Sequence, residues 1–183
     1  MGTWIEEELA TLDMGDKRLN KRMAIIVDRL AAKPTATLPG AFRSWAELQA
    51  AYRFFSNQAT TPMAVLASHV DATIGRIQKQ RVALLDQDTT ELDLTRKVEV
   101  VEGAGPLTHE SRSGFFLHPV VAFTADRLPL GTIHADWWGR DPEDLHKSLW
   151  ASSCRCWRRW AVTWDGTTMA LLGLRRYGSV CSG

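Results

Sequence analysis

The apolar residues of this chain change their spacing near residue 81, and this change constrains the fold most. Before it, four apolar residues fall at i, i+4, i+7 and i+11, on one face of a predicted helix: Leu19, Met23, Ile26 and Leu30. After it, residues 81–88 contain a short apolar run, Val82 to Leu85, that ends in acids and is typical of a buried strand. The sequence therefore predicts an α+β protein in which the helices come first.

Capping signals predict where the helices begin. Residues 3–6 and 44–47 both have the spacing of a capping box. Asp16 can cap a helix that runs to about Ala32, and Thr61 followed by proline is typical of a fourth helix start. The third predicted helix carries an aromatic-rich stripe at helical spacing: Trp45, Leu48, Tyr52 and Phe55.

The second half of the chain reads as strands. Residues 95–113 contain two glycines and a proline and are predicted to be a loop. Residues 115–124 and 130–138 then form a predicted hairpin that turns at Asp126 and Arg127. His118 and Pro119 are expected to interrupt its first arm.

An acidic cluster follows the predicted strand at residue 81. Asp86 and Asp88 stand two residues apart, so a strand would place them on the same face, and Glu91 and Asp93 follow at once. Mg²⁺ binds one or two carboxylates together with phosphate oxygens, and two such ions about 4 Å apart can catalyse phosphoryl transfer. The alternative is a polar strand end that leads into a loop.

A basic helix face offers a second kind of site. Five cations fall on the arc opposite the apolar face: Lys17, Arg18, Lys21, Arg22 and Arg29. The acid Asp28 lies in the same arc and weakens its positive charge. Because the net charge is only +1, any preference for a polyanion must come from such local patterning. The face suits DNA phosphate, and the alternative is an ordinary solvated helix surface.

The last 33 residues differ from the rest. Residues 151–183 hold all three cysteines, five arginines and a single acid, Asp165. A zinc or redox site, a basic Trp-containing nucleic-acid patch and translation in another frame are the three interpretations, and the last is favoured by the run Cys-Arg-Cys-Trp-Arg-Arg-Trp. The chain contains no stretch of about 18 apolar residues and no signal peptide at its start, so no membrane association and a cytoplasmic location are expected.

Several short motifs, in the same order along the chain, resemble one family. They are Trp4-Ile5, residues 14–22, residues 50–57 (Ala-Ala-Tyr-Arg-Phe-Phe-Ser-Asn), residues 87–92 (Gln-Asp-Thr-Thr-Glu-Leu), residues 113–115 with His118, Leu130-Gly131 and residues 137–140 (Trp-Trp-Gly-Arg). Together they are similar to the Asp-Asp-Glu transposases of bacterial insertion sequences, in the Tn-five-like branch of the insertion-sequence-four family. The resemblance extends from residue 4 to about residue 150.

The resemblance implies a domain organisation and a set of sites. It places a helical domain that binds transposon-end DNA at residues 1–60, the start of a ribonuclease-H-like catalytic domain at 61–150, and an aberrant tail at 151–183. Lys17, Arg18, Lys21 and Arg22 would contact double-stranded DNA at the inverted repeats. Asp88 matches the first catalytic, metal-binding aspartate, with Mg²⁺ as the cofactor of the intact family, whereas Arg53 and Asn57 are expected to be structural.

The departures from the family decide the expected function. The second aspartate and the later glutamate of the family pattern are not found in this sequence. We therefore expect a truncated transposase fragment that binds transposon ends without cutting them, alone, as a dimer or with a full-length transposase. Two alternatives remain: a small non-catalytic DNA-binding regulator, and a metal-dependent nuclease completed by oligomerisation.

Overall fold

A computed structural model describes residues 3–95, 101–109, 111–144 and 168–172 of the chain. The chain divides into two compact units, Met1–Arg76 and Ile77–Gly183. The first unit is helical and the second contains a largely antiparallel sheet, so the predicted α+β class is confirmed. None of the helices in the described ranges is long and apolar enough to cross a membrane.

Between residues 3 and 81, which the structure describes throughout, the regular structure consists of five helices. They are α1 (Thr3–Glu8), α2 (Lys17–Ala32), α3 (Leu38–Ala41), α4 (Trp45–Phe55) and α5 (Pro62–Ile77). The predicted starts of α1, α2, α4 and α5 are confirmed. Helix α3 was not predicted because its four residues are too few to show a helical period.

Side-chain caps explain why the longer helices begin where they do. Asp16 Oδ1 accepts a hydrogen bond from the Arg18 amide at 2.7 Å, and Ser44 Oγ accepts one from the Glu47 amide at 3.2 Å. Thr61 Oγ1 likewise accepts from the amide of Ala64 at 3.1 Å. Each cap satisfies one of the amides that a helix start leaves without an intrahelical partner.

The core of the first unit is formed by α2, α3 and α4 with the segments before them. Its buried residues are Met14, Met23, Ile26, Ala41, Phe42, Leu48, Ala51 and Phe54. Leu19 and Leu30 pack against this cluster, which confirms the predicted apolar face of α2. On α4 the buried face consists of Leu48, Ala51 and Phe54, so most of the predicted aromatic stripe lies outside the core.

Ion pairs and hydrogen bonds join α5 to the start of the chain. The Glu8 carboxylate accepts hydrogen bonds from Arg76 at 2.6 and 3.2 Å and contacts His69, and the Thr11 hydroxyl donates to Asp71 at 2.7 Å. These contacts explain why the boundary between the compact units falls after Arg76. The sequence had assigned α5 to the second domain, which began at residue 61.

In the described ranges of the second unit there are six strands and a short 3-10 helix at Pro142–Asp144. The strands are β1 (Val82–Gln87), β2 (Thr90–Asp93), β3 (Gly105–Pro106), β4 (Ser113–Thr124), β5 (Pro129–Trp138) and β6 (Thr168–Leu172). β4 pairs antiparallel with β1, β2, β3 and β5, and β6 pairs parallel with β1. The hairpin of β4 and β5 is confirmed, whereas β2 and β3 were not predicted.

Contrary to the prediction from the sequence, His118 and Pro119 do not interrupt β4. The interruption lies instead between β1 and β2, the strands that pair with β4 on one side. β4 runs without interruption through His118 and Pro119. β1 and β2 share one register along β4, and the two residues between them, Asp88 and Thr89, lie opposite Pro119 and His118. Because proline has no amide proton to donate, the ladder opens on the side of the partner strand.

Close backbone contact holds β2 to β4. Gly114 pairs with Asp93, and a Cβ atom on this glycine would lie 1.9 Å from the carbonyl oxygen of Leu92. Only glycine fits there, because atoms at that separation overlap. This contact positions the short β2 directly after the break.

The structure describes one segment of the tail, the strand β6. Its register with β1 runs from Val82 opposite Thr168 to Asp86 opposite Leu172. The cysteines of the tail, Asp165 and its arginines and tryptophans lie outside the described residues, so the proposed zinc, nucleic-acid and out-of-frame interpretations are not tested at those positions.

Candidate nucleic-acid interface

The four predicted DNA-binding cations lie on the first two turns of α2. Lys17, Arg18 and Lys21 are exposed, and Arg22 is half-buried. At a rise of about 1.5 Å per residue, the stretch from the first to the last of them is about 7.5 Å long. Met23 and Ile26 of the same helix are buried in the core, which leaves the cationic arc on the outer side.

Arg18 is the most exposed of the cations for which an ion pair is recorded. Its side chain is 92% exposed, yet the guanidinium donates to both carboxylate oxygens of Asp16, with the shortest contact at 3.0 Å. These hydrogen bonds lower the pKa of Asp16 and raise that of Arg18. The helix cap and the arginine are therefore joined at the start of α2.

Arg29 does not belong to the exposed basic face, although the helical spacing placed it there. Its side chain is 13% exposed and forms ion pairs with Asp28 and Glu47. The Glu47 carboxylate also accepts a hydrogen bond from the Arg43 amide at 3.0 Å, and the hydrogen bonds from Arg29 and Arg43 lower its pKa to about 2. Arg29 is thus a structural link between α2 and α4.

The outer face of α4 carries aromatic and cationic side chains that the sequence had not assigned to binding. Trp45 is 71% exposed and Tyr52 is 40% exposed, and Arg53 is exposed as well. The predicted stripe on α4 includes Trp45 and Tyr52. Its spacing did not show which side of the helix is buried. The side chain of Asn57, for which a structural role is predicted, accepts a hydrogen bond from the Ala59 amide at 2.9 Å.

The acidic cluster predicted after residue 85 is divided by the structure. Asp86 lies within β1, and Asp88 lies just beyond its end and is exposed. Glu91 and Asp93 lie on β2, where both form ion pairs with Arg112, at 2.8 and 3.7 Å. The two later acids therefore hold the loop before β4, while Asp88, which the sequence placed on one strand with Asp86, lies one residue past the end of β1.

A buried histidine lies beside the break that contains Asp88. The Nδ1 atom of His118 is 2.8 Å from the hydroxyl of Thr89, and its Nε2 atom is 3.4 Å from Oε1 of Gln87. Burial lowers the pKa of the imidazole, although the charges of Asp136 and Asp88 oppose this. A neutral ring that accepts from Thr89 fits both contacts. His118 thus contacts both neighbours of Asp88, Gln87 and Thr89. No sequence pattern indicated this role.

Among the described residues, few potential metal ligands lie around Asp88. Within the described ranges there is no group of three histidine, cysteine, aspartate or glutamate side chains that could hold a metal ion. β6, the parallel neighbour of β1, has the sequence Thr-Met-Ala-Leu-Leu and carries no acid. A single exposed carboxylate offers Mg²⁺ one ligand, whereas a pair of ions needs several shared carboxylates.

One comparison with known families found a match at the start of the chain. Residues 1–60 match a family model described as transposase DNA-binding. The N-terminal part of this chain is similar to the DNA-binding part of transposases. The match contains all of α1–α4, and hence the four cations of α2 and the exposed face of α4. No significant similarity to a curated protein was found.

Proposed function

We propose that the chain binds duplex DNA at transposon ends, through the cationic face of α2, as a member of the insertion-sequence-four type of Asp-Asp-Glu transposases. The observation that carries this proposal is the set of Lys17, Arg18, Lys21 and Arg22 on the outer side of α2, inside the stretch that matches the transposase DNA-binding family. Phosphate contacts of this kind supply the salt-dependent part of DNA affinity.

Two further features of the same unit support DNA as the ligand. The amides at the start of α2 carry a partial positive charge, which favours nearby phosphate. On α4, the exposed Trp45, Tyr52 and Arg53 offer stacking surfaces and a further cation. Both features lie in the first compact unit.

The test is a gel-shift titration of the full chain with a duplex of about 20 base pairs, repeated over a range of salt concentrations. Replacing Arg18→Ala and Arg22→Ala together should weaken binding and flatten the salt dependence by roughly 0.9 for each lost phosphate contact. A matched control replaces Lys79→Ala and Arg81→Ala, two exposed cations of the second unit, and should change neither quantity. Unchanged affinity of the Arg18→Ala, Arg22→Ala variant would contradict the proposal.

For the second unit we propose a ribonuclease-H-like sheet in which Asp88 corresponds to the first catalytic acid, without cleavage or joining of DNA strands by this chain alone. The antiparallel series β1, β4 and β5, with β6 parallel to β1, supports the fold proposal. The commitment of Glu91 and Asp93 to Arg112 supports the absence of strand cleavage. Incubation with Mg²⁺ and duplex DNA should leave the DNA intact. Cleavage that Asp88→Ala abolishes would instead support a nuclease completed by oligomerisation.

A second candidate function is a small, non-catalytic DNA-binding regulator of transposition whose tail contributes to binding. The observation in its favour is β6, because this strand of the tail pairs with β1 at the end of the described strand order. Deleting residues 151–183 tests it. Lower solubility or weaker DNA binding would favour a regulator whose tail contributes to function, whereas no change would favour a tail without a role.

A further inference from the structure

Asp16 makes two kinds of contact at the start of the basic helix. Its Oδ1 atom caps α2 by accepting a hydrogen bond from the Arg18 amide at 2.7 Å. The same carboxylate accepts from the Arg18 guanidinium, with Nη2 to Oδ2 at 3.0 Å and Nε to each oxygen at 3.3 Å. One carboxylate thus occupies the charged end of the arginine that lies nearest the helix start.

A DNA phosphate would need the same donors. Guanidinium groups bind carboxylates and phosphates with the same planar arrangement of N–H groups, so the two anions compete for one cation. The Arg18 side chain is 92% exposed and that of Asp16 is 38% exposed, so solvent screens the pair and DNA can reach it. Exchange of the carboxylate for phosphate therefore needs no change in the core.

We propose that Asp16 competes with DNA phosphate for Arg18 and so lowers the part of the DNA affinity that comes from charge. This inference rests on the proposed function, in which α2 contacts DNA. Non-specific binding consists almost entirely of phosphate contacts. The ion pair in the free protein must be broken before Arg18 can bind phosphate, and this cost weakens the charge-dependent binding of any duplex.

The substitution Asp16→Asn separates the two roles of this side chain. Asparagine caps a helix as well as aspartate does, so α2 keeps its start. It lacks the negative charge, so Arg18 becomes available to phosphate. An exposed ion pair of this kind corresponds to a preference of up to about fivefold, and we expect Asp16→Asn to tighten binding to a mixed-sequence duplex by about two- to fivefold at low ionic strength.

The chain offers a matched control in the same loop. Asp13 is exposed, and its carboxylate accepts a hydrogen bond from the Gly15 amide at 2.9 Å. Asp13→Asn removes the same net charge at nearly the same place and leaves the Arg18–Asp16 pair intact. The full chain with each substitution, alone and combined with Arg18→Ala, is titrated with the same mixed-sequence duplex, and thermal unfolding verifies that each variant is folded.

The outcomes distinguish the inference from the proposed function. A gain with Asp16→Asn that exceeds the gain with Asp13→Asn, and that disappears in the Arg18→Ala background, supports competition. Equal gains in the two variants, or a gain that persists without Arg18, would overturn it while leaving the proposed function intact. If neither Arg18→Ala nor Asp16→Asn changes the affinity, the DNA contact at α2 and the inference both fail.

Discussion

Glu8 is the residue whose replacement should loosen α5 from the rest of the helical unit. Its side chain is only 15% exposed, and it accepts hydrogen bonds from Arg76 at 2.6 and 3.2 Å in addition to contacting His69. A hydrogen bond to a charged group contributes about 1.5–3 kcal/mol to the free energy of unfolding. We therefore expect Glu8→Gln, which keeps the shape and removes the charge, to reduce the stability of α5 by about 2 kcal/mol.

Amide hydrogen exchange of the full chain is the suitable assay, because global unfolding of a chain with two units is not a single transition. A loss of about 2 kcal/mol corresponds to exchange that is about 30-fold faster in α5. The control is Glu7→Gln, since Glu7 is the exposed neighbour on the same helix. The reasoning is refuted if the amides of α5 exchange as fast in the wild type as in Glu8→Gln. It is also refuted if Glu7→Gln accelerates their exchange as much as Glu8→Gln does.

The pH dependence of this effect follows from the direction of the pKa shift. Burial alone would raise the pKa of Glu8, but the hydrogen bonds from Arg76 and His69 outweigh it and lower the pKa below the usual 4.5. The contribution is therefore complete above pH 4.5 and is lost as the pH falls through the lower, folded-state pKa. The difference between the wild type and Glu8→Gln should shrink in that range, and a difference that stays constant would contradict the assignment.

Three more predictions follow from the cores and the sheet. Phe54→Ala should destabilise the first unit by about 3–5 kcal/mol, measured by hydrogen exchange, whereas Phe55→Ala at the 47% exposed neighbour should cost far less. Because Arg29 lowers the pKa of Glu47 to about 2, acid titration should destabilise the α2–α4 contact between pH 4.5 and 2, and Glu47→Gln should remove that dependence. Gly114→Ala should separate β2 from β4, visible as faster exchange in β2, because its Cβ would lie 1.9 Å from a β2 carbonyl oxygen.

Local patterns were sufficient for the helices and for the central hairpin. The caps at Asp16, Ser44 and Thr61 act over two or three residues, so the sequence predicts them directly. The order of helices followed by strands comes from the change in apolar period. The family resemblance predicted DNA binding at the N-terminus, and the match of residues 1–60 supports that part of it.

The candidate site depended more on distant partners. Helical spacing grouped Arg29 with Arg18, but Arg29 is bound to Glu47 on another helix, while Arg18 is bound to a residue two positions away. Closeness in the chain grouped Glu91 with Asp88, although Glu91 forms an ion pair with Arg112. Spacing along the chain shows which residues share a face of a helix or strand. It does not show which side chains of other elements contact that face.

The sequence by itself determined where the helices start, which face of α2 is apolar and where the cations of its first turns lie, because these features depend on contacts within one or two turns. The tertiary structure alone decided which face of α4 is buried, that α5 belongs to the helical unit through Glu8, and that the sheet opens at Asp88 opposite Pro119. Those outcomes depend on burial and on pairing between residues far apart in the chain. Such contacts contribute to stability only when folding has brought the segments together, so local sequence patterns do not reveal them.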